Sequence, residues 1–227
     1  MTDTNPQRAR AIGEKLRAIR QERGMSLREL ANKAEVSASM LSQIETGKVF
    51  PSVRSLYGIA NALNVSVDYF FPEQANGSVA QGSLASSNAG ELTASEMRDA
   101  RVNATGIDPE FVPHAQHPSP VVHASARPMI ELKGGVTWSR LTALAENGAE
   151  FLEITYAPGA MSGVNMSHHE GREFGLILGG ELVVELGFES YTLGKGDSII
   201  FESTVPHRLL NKGSQPMSAV WVVLSKS

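Results

Sequence analysis

Three histidines of this 227-residue chain stand where they can do chemistry. His168 and His169 lie in PGAMSGVNMSHHEGREFGLILGGEL, with Glu173 four residues after His169 and a glycine pair, Gly179 and Gly180, ending the run. GKGDSIIFESTVPHRLLN carries His207 four residues before Asn211. Side chains alternate along a strand, so Glu173, Gly175 and Ile177 share a face. If the strands close into a barrel, Glu173 and His207 converge inside it. Two imidazoles and a carboxylate from different strands suit a divalent metal (Zn, Fe, Ni or Mn) and leave positions for water or a ligand. His169 and His207 can equally be hydrogen-bonded pocket residues that touch an organic ligand directly, and both readings stay open. Tyr156, Phe201, Arg208 and Trp221 complete a candidate effector pocket, with Phe201 and Trp221 equally readable as core. His168 reads as a surface residue, and His114, His117 and His123 as solvated. Glu181, Glu185 and Glu189 read as a solvated face.

A second constellation lies near the start. The spacing predicts one helix capped by Ser26, with Leu27, Leu30, Ala31 and Ala34 as its apolar face, and another capped by Ser37 and reaching Glu45, joined by about three residues, as in a helix-turn-helix, whose second helix enters the major groove. Val36, Leu41 and Ile44 point inward there. Ser37, Ala38, Ser39, Ser42 and Gln43 point outward, and such small or amide side chains can approach base edges. Gln43 can bond adenine at N6 and N7. Backbone amides at helix starts near Ser26 and Ser52 suit phosphates, with Arg28 and Lys48 adding charge.

The elements that must position these groups divide the chain. Residues 8–72 read as five short helices: Ile12, Leu16 and Ile19 repeat at helical spacing, Gly24 and Gly47 act as stops, and Ser26 with Glu29 forms a capping box. Residues 73–118 hold NGSVAQGSLASSNAG, too poor in apolar side chains to offset ordering entropy, and read as a flexible linker in which ELTASEMRDARV is a short helix. From 119 to 227 the period is two, in FLEITY, GLILGG, ELVVEL, SIIF and AVWVVL, which predicts an all-β sandwich or barrel. The class is α + β with two domains. At 41% hydrophobic and 19% charged the chain can bury a core. Its C-terminal apolar run, residues 219–224, falls far short of the ~20 residues of a membrane helix. The opening MTDTNPQRAR shows no secretory pattern. There is no cysteine, so disulfides and thiolate metal sites are excluded and the cytoplasm is the expected compartment. Residues 1–72 carry ten Lys/Arg against seven Asp/Glu, and residues 73–227 ten against seventeen, a basic head on an acidic body.

Residues 8–71 resemble the Xre/Cro-type, lambda-repressor-like helix-turn-helix domain, on Leu30–Ala31, SQIETGK, Pro51–Ser52 and ALNVSVDYFF. The resemblance implies a five-helix DNA-binding domain, an Arg20–Glu45 pair, and residues 37–43 facing DNA. Glu35 stands where the family has a turn glycine. Leu27 stands where many members have a phosphate-binding glutamine, and Ala38 and Ser39 replace longer base-reading amides. Residues 120–227 resemble the cupin superfamily, which implies a jelly-roll (double-stranded β-helix) barrel. His169, Glu173 and His207 match its second histidine, glutamate and last histidine, while Ser167 occupies the first histidine position. His168, one residue on, points to the other face.

The combined expectation is a DNA-binding transcriptional regulator acting on a double-stranded operator, with a cupin barrel that senses a small-molecule effector and joins a homodimer, so that two heads reach half-sites about 34 Å apart. Two rivals remain: a metal-dependent cupin enzyme of dioxygenase or isomerase type with an accessory DNA-binding domain, and a barrel that serves only for dimerisation.

Overall fold

The computed structural model describes residues 6–72 and 120–225; the expected linker, with ELTASEMRDARV, His114 and His117, lies outside the described residues. Four α-helices come first: α1 (Pro6–Glu22), α2 (Leu27–Lys33), α3 (Ala38–Glu45) and α4 (Val53–Leu63). The fifth expected helix is instead a 3₁₀ turn, Val67–Phe70. Ser66 caps it through the Asp68 amide, and Pro72, with no N–H to donate, stands just beyond it.

Local chemistry sets the helix ends. The Ser26 hydroxyl accepts from the Glu29 amide at 3.2 Å while the Ser26 amide donates to Glu29 Oε2 at 2.7 Å, the capping box read from the sequence. Ser37 caps α3 through the Met40 amide at 3.1 Å. Between α2 and α3 the backbone must turn left-handed, and Glu35 does so at φ 53°. A glycine would adopt this region without strain, whereas a side chain with a Cβ is strained there.

Ile12, Leu16, Ile19, Leu30, Leu41, Ile44, Leu56 and Leu63 are buried together as one core, whereas Val36 is only half-buried. Arg20 ties the bundle across that core. Its Nε and Nη2 donate to the two Glu45 oxygens at 2.6 and 3.0 Å, and its Nη1 donates to the Met25 carbonyl at 2.8 Å. Both side chains are nearly buried, at 12% and 6% exposure, so the pair implied by the resemblance is a desolvated one.

Nine strands follow among the described residues: β1 (Met129–Leu132), β2 (Val136–Arg140), β3 (Ala149–Tyr156), β4 (Arg172–Gly179), β5 (Leu182–Leu186), β6 (Glu189–Leu193), β7 (Ser198–Glu202), β8 (His207–Leu210) and β9 (Met217–Leu224). They form a six-stranded sheet, β1-β2-β3-β9-β4-β7, and a three-stranded sheet, β6-β5-β8, with every pairing antiparallel. Alternation supplies the barrel interior. Met217, Ala219, Trp221 and Val223 of β9 and Leu152, Ile154 and Tyr156 of β3 point in, meeting Leu182, Val184 and Leu209 from the small sheet.

The helical domain seats directly on the barrel, a contact that no local periodicity records. The Lys133 amide donates to the Pro51 carbonyl at 2.9 Å and the Arg54 amide to the Ser162 carbonyl at 3.5 Å. Arg140 faces Asp68 at 3.6 Å with both side chains buried, and Arg8 pairs with Glu131. Tyr57 of α4 donates its hydroxyl to Glu150 Oε2 of β3 at 2.9 Å. Burial pushes the Glu150 carboxyl up to about 7, against the Tyr57 bond and the field of His169, with Asp68 and Glu173 adding to the rise.

Two predictions follow from this architecture. Arg20→Met leaves Glu45 buried without its partner and lowers unfolding stability by about 3 kcal/mol in urea titrations, as for other broken buried pairs. The folded-state value for Glu150 lies above its ordinary 4.5, so its contribution to stability is fully present below pH 4.5 and is lost as pH rises through about 7. Glu150→Gln, which mimics the neutral acid, therefore melts with the wild type near pH 4.5 and at a higher temperature near pH 8.

Candidate functional site

Inside the barrel the backbone brings three side chains to one point. Glu173 sits early in β4, where Glu173, Gly175 and Ile177 face inward as alternation requires. His207 opens β8, and His169 lies just before β4, its amide bonded to the Ser203 carbonyl at 3.0 Å. Ser167 bridges His207 by two backbone hydrogen bonds, of 2.9 and 2.8 Å. His169 Nε2 and His207 Nε2 lie 3.1 and 3.2 Å from the same oxygen, Glu173 Oε1.

The second contacts of each group decide what that point can hold. His169 Nδ1 is 3.0 Å from the Glu170 carbonyl and His207 Nδ1 is 2.9 Å from the Val205 carbonyl. A carbonyl can only accept, so each Nδ1 carries a proton, and a ring that is neutral then aims its Nε2 lone pair inward. Trp221 Nε1 donates to Glu173 Oε2 at 2.7 Å, which fixes the carboxylate and leaves Oε1 free to turn toward the imidazoles. Gly175 makes this possible: a Cβ there would lie 2.2 Å from the indole ring of Trp221.

Burial disfavours the Glu173 anion, but the adjacent imidazoles of His169 and His207 and the Trp221 donor outweigh it and hold the carboxyl below its usual range. Burial lowers the His207 value and keeps that ring neutral. Burial also works against the His169 cation, but the adjacent Glu173 carboxylate raises its value overall. His169 Nε2 and Glu173 Oε1 are buried with no hydrogen-bond partner. The three ligand atoms lie within 4.8 Å of one another. An anionic oxygen and two imidazole nitrogens with converging lone pairs fit a divalent cation.

A cavity of about 20 Å³ adjoins the cluster, room for a water-sized guest. Tyr156, His169, Glu173, His207 and Trp221 line it as expected, and Ser167 lines it too. Phe201 does not. It is buried core, its ring 5.2 Å from that of His207 and 6.4 Å from that of Trp221. Arg208 is also a correction. Next to His207 on β8, it points to the opposite face, pairs with Glu185 and donates to the Val164 carbonyl. His168 and His123 are exposed, as read. Glu181 and Glu189 are exposed, while Glu185 is half-buried by its pairs with Arg208 and Lys212.

Sequence reasoning missed Tyr57 and Val53, which also line the cavity from α4. The Tyr57 ring stacks on His169, centroids 4.3 Å apart and planes 13° apart. The available signal was an aromatic residue on α4 beside, not within, the stripe of Val53, Leu56, Ala60 and Leu63.

On the helical domain, Ser37, Ser39, Ser42 and Gln43 are exposed together, and Ala38 is half-buried against the core. Ser26, Arg28 and Lys48 are exposed at the flanks, and Ser52, half-buried, caps α4 through the Ser55 amide at 3.2 Å.

Comparison with known proteins agrees with both halves. Residues 16–70 match the Helix-turn-helix family and residues 152–223 the Cupin domain family. The chain is 25% identical over 201 residues to the HTH-type transcriptional regulator PuuR of Escherichia coli, covering 88% of each chain. Over 64 residues it is 41% identical to the HTH-type transcriptional regulator SinR of Bacillus subtilis, covering 28% of this chain and 58% of that one. A crystal structure of an HTH_3 family transcriptional regulator from Vibrio cholerae, 21% identical, covers 99% of this chain and 100% of its own at a TM-score of 0.61, and so shares the fold. The chain thus carries an Xre-like helix-turn-helix domain over residues 16–70 followed by a cupin domain over residues 152–223.

Proposed function

We infer that the protein is a sequence-specific DNA-binding transcriptional regulator whose cupin barrel senses a small-molecule effector and holds a homodimer together. The observation that carries the DNA half is the exposed face of α3, where Ser37, Ser39, Ser42 and Gln43 offer short polar groups that can reach base edges. Ser26 and Ser52 start the flanking helices, and Arg28 and Lys48 stand exposed beside them to meet phosphates. Such a protein works where DNA is, in the cytoplasm.

In the barrel, His169, Glu173 and His207 would hold a divalent metal as three protein ligands, and Ser167 in place of a fourth leaves room for an effector atom. When bound, the metal would polarise or anchor an oxygen or nitrogen of the effector. The homology along most of the chain to a transcriptional regulator favours sensing over turnover.

The outer face of the large sheet supports the dimer. Phe151, Leu176, Leu178, Ile200 and Leu224 are exposed there at 40–57%. The register brings them together through half-buried Phe174, Val220 and Val222, making one apolar surface across β3, β9, β4 and β7. A surface of this kind marks an interface more often than a bare exterior.

Against a duplex selected from a random-sequence pool, Gln43→Ala is expected to weaken binding by about 1–3 kcal/mol, some 5–150-fold in gel shifts. Arg28→Ala and Lys48→Ala each reduce the slope of log affinity against log salt by about one without changing sequence preference. Zn(II) at about a hundred times its dissociation constant stabilises the full chain by about 2.7 kcal/mol, and His207→Ala loses that thermal shift. Equal binding by Gln43→Ala at every duplex would remove α3 as the reading helix.

A further inference from the structure

The cavity at the cluster is small, and part of its wall, Tyr57 with Val53, belongs to the DNA-binding domain. With about 20 Å³ of space, nothing larger than a water or a metal ion enters as the molecule stands. Immediately outside lies a cleft of about 730 Å³ between α4 and the barrel rim, with Asn61 and Asn64 on one side and Glu146 and Glu150 on the other. Tyr57 and His169 line both the inner cavity and the outer cleft. Their stacked rings are the lining that the two spaces share.

We propose that Tyr57 is the movable wall of the ligand site, so that an organic ligand coming through the cleft reaches His169, Glu173 and His207 only by displacing this ring and, with it, α4. The ligand is a small molecule presenting an oxygen or nitrogen donor to the cluster. This rests on the effector-sensing reading above and adds a residue to it from the other domain.

The unequal stiffness of the walls supports the proposal. Leu152, Ile154, Tyr156 and Trp221 sit on paired strands of the large sheet, so opening the cavity through them breaks ladder hydrogen bonds. Tyr57 is held by one hydrogen bond, to Glu150, by its stack on His169 and by an edge contact with Trp138 at 5.8 Å, and its helix by the Arg54 amide on the Ser162 carbonyl at 3.5 Å; none of these is part of a strand ladder. Its neighbour Gly58 faces the other way and packs so closely that a Cβ there would lie 2.8 Å from the Ala34 carbonyl, at the end of α2. Arg54 of the same helix pairs with Glu35 of that turn at 3.2 Å. A shift of α4 away from the barrel therefore presses on the turn that sets α2 against α3. The path from the cluster to the turn before the DNA-facing helix is two contacts long, Tyr57 on His169 and Gly58 on Ala34, and does not use residues 73–118.

The test is the rate at which diethyl pyrocarbonate modifies individual histidines of the full chain, read by peptide fragmentation. Exposed His168, adjacent in sequence to His169, serves as the internal reference. In the wild type His169 and His207 react at least about tenfold more slowly than His168. Tyr57→Ala raises both buried rates about tenfold and leaves His168 unchanged. Tyr57→Phe, which keeps the ring and so the fold but loses the Glu150 bond, raises them about two- to threefold. Buried rates unaffected in Tyr57→Phe and in a folded Tyr57→Ala would overturn the proposal. These rates need neither metal nor effector, so a barrel that binds nothing would show itself separately, as absent thermal shifts with metals and small molecules, whatever the histidine rates show.

Discussion

A phenol ring lying flat on an imidazole, with its hydroxyl held by a buried carboxylate, is the contact on which the arrangement depends. Tyr57 meets His169 and Glu150 at the one place where the helical domain closes the barrel. Around it, the buried Asp68–Arg140 pair and the backbone bonds from Lys133 to Pro51 and from Arg54 to Ser162 fix α4 and the turn after it over the barrel mouth. Buried ions and hydrogen bonds of this kind add little net stability compared with apolar packing, but they tolerate few alternative geometries. The seat is therefore specific, and it contains titratable and displaceable groups where a plain apolar contact would have neither. A ligand changes such an equilibrium only through unequal affinity for the seated and unseated forms.

Within the barrel, one glycine organises the chemistry. Gly175 clears the space for the Trp221 indole, the indole fixes one oxygen of Glu173, and the other oxygen is left facing two imidazoles whose tautomers are set by backbone carbonyls. The cost of burying an anion is offset by these donors, so the carboxylate remains ionised where an isolated one would not. The result is a preformed donor set with lone pairs aimed at a common point.

Much of this was legible from residue types and spacing. The capping boxes and caps at Ser26 and Ser37, the stop at Gly47 and the exposed face of α3 depend on local chemistry, which sequence carries directly. The convergence of His169, Glu173 and His207 followed from alternation on strands once a closed barrel was assumed. Alternation alone should have excluded Arg208, since its neighbour His207 already faced inward. Phe201 was ambiguous because a buried aromatic ring serves core and pocket equally, and only a missing cavity wall separates the two. β6 was not seen as a strand because ESYTL buries none of its first four residues and so shows no apolar alternation. Tyr57 and Glu150 were invisible for a different reason. Their partner is in another domain, 93 positions away, and no local period records such a pairing.

The most direct test of a shared wall between the helix-turn-helix and cupin halves is amide hydrogen exchange of the full chain, with and without a selected duplex. Coupling through α4 predicts that DNA changes exchange not only in α2–α4 but also at the barrel rim, around Glu150 and in the segment leading from Ser167 to His169. Changes confined to the helices, with the rim exchanging at the same rate in both states, would contradict it.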